Sequence, residues 1–245
     1  MDMTRKETTP TRILFVEKRP SGFLDHVVSH TFAEVSANVV AAKLDVQTHL
    51  GDVCALPRSG TAFVSPGNSL GFMDGGIDFA YSRVMFPGCE QRLKTKIRTL
   101  GKFTNLGRPY LPVGSAIVVP SLEENSCLIA APTMFLPHDV SKTRNAYHAF
   151  SAALGAYRKY VTLNPDRKIH TLVCPALCCG YGRMAPEDSA RQVAAAYADA
   201  LAGKGPEEND ARRQDAEFFV TRSRDAEQPV NYDNREIKDI LPHEL

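Results

Sequence analysis

The sequence lacks an excess of charge of either sign. Its 245 residues include 29 lysines and arginines against 28 aspartates and glutamates, which gives a formal net charge of +1. Proteins that capture nucleic acid or an anionic membrane by electrostatics usually carry a clear basic excess. Neither partner is therefore expected from the overall charge, although the total leaves room for a local basic patch.

Long apolar runs are also absent. No stretch approaches the roughly 20 apolar residues that a membrane-spanning helix needs. The first residues, MDMTRKETTPTR, are polar and do not contain the apolar core of a secretory signal. These features predict a soluble intracellular protein, located in the cytoplasm or the nucleus.

Cysteines are present, but the spacing that would make them metal ligands is not. No C-x-x-C pair and no cysteine and histidine cluster with zinc spacing occurs, so a structural zinc site is not expected and no metal or cofactor is predicted. In a chain of this length without a secretory signal, the six cysteines are expected to be reduced thiols. They are Cys54, Cys89, Cys127, Cys174, Cys178 and Cys179.

Apolar periodicity predicts alternating strands and helices. Short apolar runs predict strands at 13–16, 46–50, 61–64, 115–119, 126–131 and 169–173. Apolar residues at helical spacing predict helices at 23–43, at 75–100 with a break near Pro87-Gly88, at 143–163 and from Pro186 onward. This order predicts an α/β fold, a three-layer α/β/α sandwich around a central mixed sheet.

Composition divides the chain into three parts. Residues 1–10 are expected to form a flexible leader and residues 11–203 a single domain. Residues 204–245 form a charged C-terminal extension that begins near GKGPEENDARRQD and has no apolar periodicity. Within it, Phe218-Phe219-Val220 predicts either one late strand or a docking segment.

Two glycine-rich loops follow predicted strands, at the end of the sheet where α/β proteins bind ligands. The first spans 65–78 and the second 175–186, and each leads into a helix. Glycine lets the backbone approach a ligand, and a helix start offers unpaired amides, so the two loops could hold a diphosphate without any lysine. Ordinary turns are the competing interpretation. Neither loop contains a Walker P-loop or a G-x-G-x-x-G dinucleotide motif.

Taken in order, the motifs resemble those of the macro domain family. Gly51-Asp52-Val53 is similar to the family's Gly-Asp-Ile element. Ser65-Pro66-Gly67-Asn68 and Gly75-Gly76-Ile77-Asp78 stand where the family has Asn-Ala-Ala-Asn and a glycine run followed by Val-Asp. Cys178-Cys179-Gly180-Tyr181-Gly182 stands at the family's Ser-Thr-Gly-Ile-Tyr-Gly loop. The resemblance covers about 45–203.

This sequence departs from the family pattern at several places. Ser65 replaces the first asparagine, Pro66 stiffens the loop, and Phe72-Met73-Asp74 interrupts the glycine run. The second loop is one residue shorter before Tyr181. The pattern is therefore typical of a divergent, macro-domain-like branch, and it supports binding more than turnover.

The resemblance implies that the chain binds ADP-ribose or an ADP-ribosylated protein. Hydrolysis at the distal ribose is the implied reaction if the chain is an enzyme, with Asp78 and Asn68 as catalytic residues. A non-catalytic reader of ADP-ribosylated partners is one alternative, and a structural or interaction protein with vestigial loops is another. The implied ligand-binding residues are Asp52, Val53, Gly75, Gly76, Ile77, Cys178, Cys179, Gly180, Tyr181 and Gly182.

Several of these side chains also have a plain structural interpretation. Asp52 could cap a turn instead of accepting a hydrogen bond from the adenine amino group. Asn68 could close an Asx-turn instead of orienting ribose hydroxyls, and Asp78 could complement a helix dipole instead of positioning water. Tyr181 covers the ligand or is an ordinary surface residue.

A nucleophilic role for Cys178 and Cys179 is not favoured, because no histidine stands nearby in sequence. His138 and Asp139 follow the 126–131 strand and could approach the same edge of the sheet, but a solvated turn is the simpler account.

Overall fold

A computed structural model of the chain describes residues 12–27 and 45–202. The strands are β1 (Arg12–Glu17), β2 (Asp45–Leu50), β3 (Thr61–Ser65), β4 (Lys102–Phe103), β5 (Pro109–Tyr110), β6 (Ile117–Pro120), β7 (Ser126–Ala130) and β8 (Thr171–Pro175). The helices are α1 (Phe23–His26), α2 (Gly76–Ala80, continued by a π turn at Tyr81–Met85), α3 (Cys89–Leu100), α4 (Asn145–Leu163) and α5 (Pro186–Leu201). Short 3-10 turns lie at Val53–Ala55 and Pro165–Arg167.

Within the described ranges, the main sheet contains six strands in the order β2-β1-β8-β3-β7-β6. All neighbouring strands are parallel except β6, which runs antiparallel to β7 at the edge. The predicted mixed sheet is therefore confirmed. Five parallel strands place their carboxyl ends at one edge of the sheet, and the loops that leave those ends meet there.

Burial on both faces explains why the strands are nearly continuous apolar runs. Along β3, Ala62 and Val64 join an apolar cluster on one face, while Phe63 joins a cluster on the other. Helices α1, α4 and α5 cover the first face, and α2 and α3 cover the second. The structure is thus the three-layer α/β/α sandwich that the sequence predicts.

Helix α3 illustrates how one element serves both the core and the surface. Leu93 and Ile97, four residues apart, are buried on one side of the helix. Both lie close to Gly71, whose φ of +76° suits glycine and where a Cβ would lie 2.7 Å from Ile97 Cδ1 and 3.4 Å from Leu93 Cγ. The first glycine-rich loop therefore approaches α3 closely at a position where only glycine fits.

The predicted elements agree with the observed ones to within a few residues. The break near Pro87-Gly88 is confirmed, because the π turn ends at Met85 and α3 begins at Cys89. The hairpin formed by β4 and β5 was not predicted. No helix among residues 12–27 and 45–202 is long and apolar enough to cross a membrane.

Some predictions fall outside the described residues. The helix predicted at 23–43 is described only through α1 and Val27. The leader at 1–10, the C-terminal extension at 204–245 and the segment Phe218-Phe219-Val220 also lie outside the described part of the chain.

Candidate functional site

Thr133 stands between the two glycine-rich loops at the carboxyl edge of the sheet. It follows β7, and its hydroxyl donates a hydrogen bond to the carbonyl of Pro66 at 2.8 Å, while its amide donates to the carbonyl of Gly67 at 3.1 Å. The same side chain lies near the thiol of Cys178 in the second loop. Asn145 at the start of α4 donates to the Thr133 carbonyl at 2.7 Å. Thr133 was not predicted from the sequence, where its only signal is its position just after a strand.

The ring of Tyr181 in the second loop lies near Gly75 in the first. The ring atom Cε2 of Tyr181 lies 3.8 Å from the position that a Cβ on Gly75 would occupy, which is van der Waals distance. The Tyr181 side chain is otherwise 68% exposed. The segments 65–78 and 178–186 therefore lie side by side, as the sequence interpretation requires.

In the second loop, three backbone carbonyl oxygens accept hydrogen bonds from backbone amides. The Cys178 carbonyl accepts from the Met184 amide at 3.0 Å, and the Gly180 carbonyl accepts from the Arg183 amide at 3.0 Å. The Gly182 carbonyl accepts from the amide of Val140 at 2.9 Å.

Within the described residues, no hydrogen bond engages the five successive amides of 178–182. A run of unpaired backbone N–H groups is the arrangement that binds anions.

The start of α2 supplies further unpaired amides. Gly75 is the N-cap and provides no side-chain cap, and Gly76 follows with a φ of +55°. The amides of 75–78 make no hydrogen bond within residues 12–27 and 45–202. No atom lies within 4 Å of the position of a Cβ on Gly76, so the backbone around Gly75, Gly76 and Ile77 is open to close approach.

Asn68 closes its own loop. Its Oδ1 accepts hydrogen bonds from the amides of Leu70 at 3.1 Å and Phe72 at 3.3 Å, and its Nδ2 donates to the Phe72 carbonyl at 2.9 Å. This is the Asx-turn arrangement that competes with a ligand role.

Asp78 is turned into the protein under the first loop. Ser65 Oγ donates a hydrogen bond to its Oδ1 at 2.6 Å, and a Cβ on Gly67 would lie only 2.9 Å from its Oδ2. Burial raises the pKa of the Asp78 carboxyl to about 7, and the Ser65 hydrogen bond opposes that rise. Ser65, which stands where the macro domain family has its first asparagine, therefore holds the carboxylate of Asp78. Asp78 is one of the two residues predicted to be catalytic.

Asp52 lies at the start of the 3-10 turn Val53–Ala55. Its Oδ1 accepts from the Cys54 amide at 3.0 Å, and its Oδ2 pairs with Lys18 Nζ at 3.0 Å on the protein surface. The backbone hydrogen bond from Cys54, followed by the Lys18 contact, lowers the pKa of Asp52 to about 2. The turn packs against α2, with the Val53 side chain buried in the core beneath it. Asp52 is thus a cap and an exposed carboxylate at the same time.

Cys178 and Cys179 contribute to packing, and neither thiol is activated as a nucleophile. Burial raises the pKa of the Cys178 thiol far above its ordinary value and that of Cys179 to about 11. The Cys179 thiol donates to the Leu177 carbonyl at 3.4 Å. A thiol needs a lowered pKa to serve as a nucleophile at neutral pH.

The loop after β7 also carries His138 and Asp139, which make local turn contacts. His138 Nδ1 lies 2.6 Å from the Leu136 carbonyl, and Asp139 accepts from the Ser141 amide at 2.9 Å. Among the described residues, no group of three or more histidine, cysteine, aspartate or glutamate side chains is placed to hold a metal ion.

Gly182 and Gly180 provide a matched test of the second loop. A Cβ on Gly182 would lie 2.5 Å from the Cys178 carbonyl oxygen and 2.7 Å from Val140 Cγ2, whereas one on Gly180 would meet nothing within 4 Å. We expect Gly182→Ala to lower the free energy of unfolding by about 2 kcal/mol and Gly180→Ala to change it little. Denaturant unfolding of both variants measures this, and equal stabilities would contradict the loop geometry.

The buried Asp78 carboxyl predicts a pH dependence of stability. The unfolded chain releases this proton near the ordinary pKa of 3.8, while the folded protein holds it up to about pH 7. The stabilisation from the proton is therefore fully present below pH 4 and is lost as the pH rises through 7. We expect Asp78→Asn to be more stable than the parent at pH 8, by a few kcal/mol, and to show a flatter dependence between pH 4 and 8.

Unfolding of both proteins across this pH range measures the effect. Asp139→Asn is the control, because hydrogen bonds from Ser141 hold the pKa of that exposed carboxyl below its usual value. Its slope between pH 4 and 8 should match that of the parent. A parent slope that survives in Asp78→Asn would show that another group is responsible.

Comparison with known proteins finds similarity in structure. The macrodomain of Mycobacterium tuberculosis DarG is 18% identical over 65% of this chain and 96% of that chain, with a TM-score of 0.46. A mutant of the Oceanobacillus iheyensis macrodomain with ADPR is 15% identical over 70% of this chain and 91% of that chain, with a TM-score of 0.44. The same macrodomain with ADP is 16% identical over 70% and 90%, with a TM-score of 0.43. No family model matches the chain, and no curated protein matches it in sequence. Macrodomain structures are thus among the solved structures to which this chain is similar.

Proposed function

We propose that this protein binds ADP-ribose, chiefly through backbone amides at the carboxyl edge of its sheet. The observation that carries the proposal is the run of unpaired amides at 178–182, which lies beside the uncapped start of α2 at Gly75. The order of motifs that resembles macro domains agrees with this ligand, and the Oceanobacillus iheyensis macrodomain mutant is itself a structure with ADPR.

The diphosphate of the ligand would lie between the two loops. It carries two negative charges, and both loops present N–H groups without internal acceptors. Backbone amides can hold phosphate without a lysine because the N–H dipoles point to the anion and need no reorganisation. This binding mode agrees with the near-zero net charge of the chain.

The adenine would lie near Asp52. Adenine offers an amino group as donor and a ring nitrogen as acceptor, so its recognition needs one protein acceptor and one protein donor. The exposed carboxylate of Asp52 can accept from the amino group. The Val53 amide makes no hydrogen bond within the described part of the chain and can donate to the ring nitrogen.

The distal ribose would lie near Asn68 and Asp78, and here the geometry favours binding over turnover. The Asn68 side chain makes its hydrogen bonds within its own loop. The Asp78 carboxyl accepts a hydrogen bond from Ser65 below the surface. Neither side chain is placed in this structure to hold an attacking water. A reader of ADP-ribosylated partners is therefore the function that the geometry supports best.

Hydrolysis at the distal ribose is the second candidate, and one observation favours it. A carboxyl whose pKa lies at about 7 is matched to general acid–base work at neutral pH. For this role Asp78 would have to exchange its hydrogen bond with Ser65 for one with a water beside the anomeric carbon.

We expect calorimetry to show binding of free ADP-ribose that weakens about tenfold in Asp52→Ala. The reason is that the variant loses one charge-assisted hydrogen bond to the adenine amino group. Asp139→Ala is the matched control, because it removes another exposed carboxylate on the same edge of the sheet and should leave the affinity unchanged. Absence of binding at millimolar ligand would overturn the proposal, and equal affinities of the two variants would refute the placement of adenine.

A turnover assay separates the two candidates. We expect the protein to bind an ADP-ribosylated protein without releasing ADP-ribose during prolonged incubation. Release by the parent that is lost in Asp78→Asn, with the affinity for ADP-ribose retained, would establish the hydrolase instead. Asp78→Asn keeps the shape of the side chain and an acceptor for Ser65, so it separates chemistry from packing.

A further inference from the structure

Asp78 is a buried carboxyl without a basic partner. It is 8% exposed, and Ser65 Oγ is the hydrogen-bond donor that contacts it within the described residues. No lysine, arginine or histidine in the ranges 12–27 and 45–202 lies within salt-bridge distance of its carboxyl oxygens. Burial without a compensating positive charge disfavours the ionised form of a carboxyl. The geometry therefore favours a protonated Asp78.

The same residue lies in the first turn of α2, directly after amides that are proposed to hold the diphosphate. The amides of 75–77 precede it in the chain, and the ring of Tyr181 approaches Gly75 from the second loop. Because successive residues of a helix rise only about 1.5 Å, a phosphate bound to these amides would lie within about 10 Å of the carboxyl. A negative charge on Asp78 would repel that phosphate across protein rather than across bulk water.

Several titratable groups packed around Asp78 keep one charge state near neutral pH. Burial raises the pKa of Tyr81, three residues further along α2, well above its ordinary value, and raises that of Cys89 at the start of α3 to about 11. In the 3-10 turn that packs against α2, burial raises the pKa of Cys54, and the hydrogen bond from the Cys54 amide lowers that of Asp52 to about 2. These groups therefore do not change charge between pH 6 and 8.5.

The first loop brings further charge close to Asp78. Asp74 is exposed in that loop, and its negative charge adds to burial in raising the pKa of Asp78. Lys94 on α3 lies over the ring of Phe72 in the same loop, but its ammonium pairs with Glu90 at 2.6 Å. The charges that act on Asp78 thus reinforce its protonated state.

We propose that the proton on Asp78 controls ligand affinity: the protonated protein binds the diphosphate of ADP-ribose more tightly, and ionisation of the buried carboxyl weakens binding. This property rests on the proposed function and adds a regulatory group to the same site. Asp78 acts through its charge and needs no contact with the ligand. Because a bound anion makes ionisation of Asp78 less favourable, ligand binding takes up a proton at a pH where the free protein has lost it.

The pH range follows from the direction of the shift. Burial raises the pKa of Asp78 to about 7, so the free protein carries the proton below pH 7 and loses it above. Both phosphates of the ligand keep their charges over this range. Affinity should therefore be highest at pH 6 and fall as the pH rises through 7 and 8.

Calorimetry of the full chain with ADP-ribose at pH 6 and pH 8.5 measures this effect. We expect binding to be about tenfold weaker at pH 8.5, the size of the repulsion between like charges about 10 Å apart in a protein. Asp78→Asn should bind at both pH values with the affinity of the parent at pH 6. At pH 7.5, two buffers that differ in ionisation enthalpy should reveal proton uptake by the parent and none by Asp78→Asn.

Two further variants should move the midpoint of the pH profile in opposite directions. Ser65→Ala removes a hydrogen bond that lowers the pKa of Asp78, so the fall in affinity should move to higher pH. Asp74→Asn removes a negative charge that raises this pKa, so the fall should move to lower pH. A variant with only a structural defect would bind more weakly at every pH and keep the midpoint of the parent.

Asp139→Asn is the matched control. Hydrogen bonds from Ser141 hold the pKa of the exposed Asp139 carboxyl below its usual value, so the variant should keep the pH profile of the parent. Equal affinity of the parent at pH 6 and 8.5 would overturn the regulatory role and leave the proposed function standing. A pH profile that survives in Asp78→Asn would also overturn it, because another group would then be responsible. Absence of ADP-ribose binding at every pH would refute the proposed function itself, and the regulatory role with it.

Discussion

The hydrogen bonds made by the segment from Thr133 to Val140 are the constraint on which the proposed site depends. Parallel strands bring the loops to one edge of the sheet, but they do not decide how those loops face each other. The segment after β7 fixes this, because Thr133 donates to two carbonyls of the first loop and Val140 donates from its amide to the Gly182 carbonyl of the second. Carbonyl oxygens of both loops thus accept hydrogen bonds within the protein, while many of the loop amides stay unpaired. An edge with paired carbonyls and unpaired amides is electropositive without any charged side chain.

Ser65 explains why this edge differs from the pattern that the sequence resembles. In the family element this position is an asparagine, whereas here a short hydroxyl side chain donates to Asp78 from below. The carboxyl is withdrawn into the protein, where burial raises its pKa to about 7. Asn68 is likewise engaged within its loop. The side chains at this edge hold the loops in shape, and the backbone amides are left for the proposed ligand.

The sequence predicted the sheet well because its central strands are buried on both faces, which makes them apolar without interruption. The hairpin of β4 and β5 was not predicted because each strand has only two residues and one of them is Pro109. Strands this short show no alternation of apolar and polar residues in the sequence. The contact of the two glycine-rich loops was predictable from strand order. The burial of Asp78 and the role of Thr133 were not, because both depend on hydrogen bonds between residues distant in the chain.

The distribution of charge can be compared with the proposed site. A diphosphate held by backbone amides would need no lysine or arginine, so bases elsewhere on the surface are not explained by the proposed ligand. Helix α3 directs Leu93 and Ile97 into the core beneath the first loop and carries its bases on the remaining faces. The hairpin that follows extends those bases beside exposed leucine and phenylalanine side chains. Helix α3 therefore packs beneath the first glycine-rich loop and also begins a locally basic stretch of the chain, and the net charge of +1 conceals that stretch.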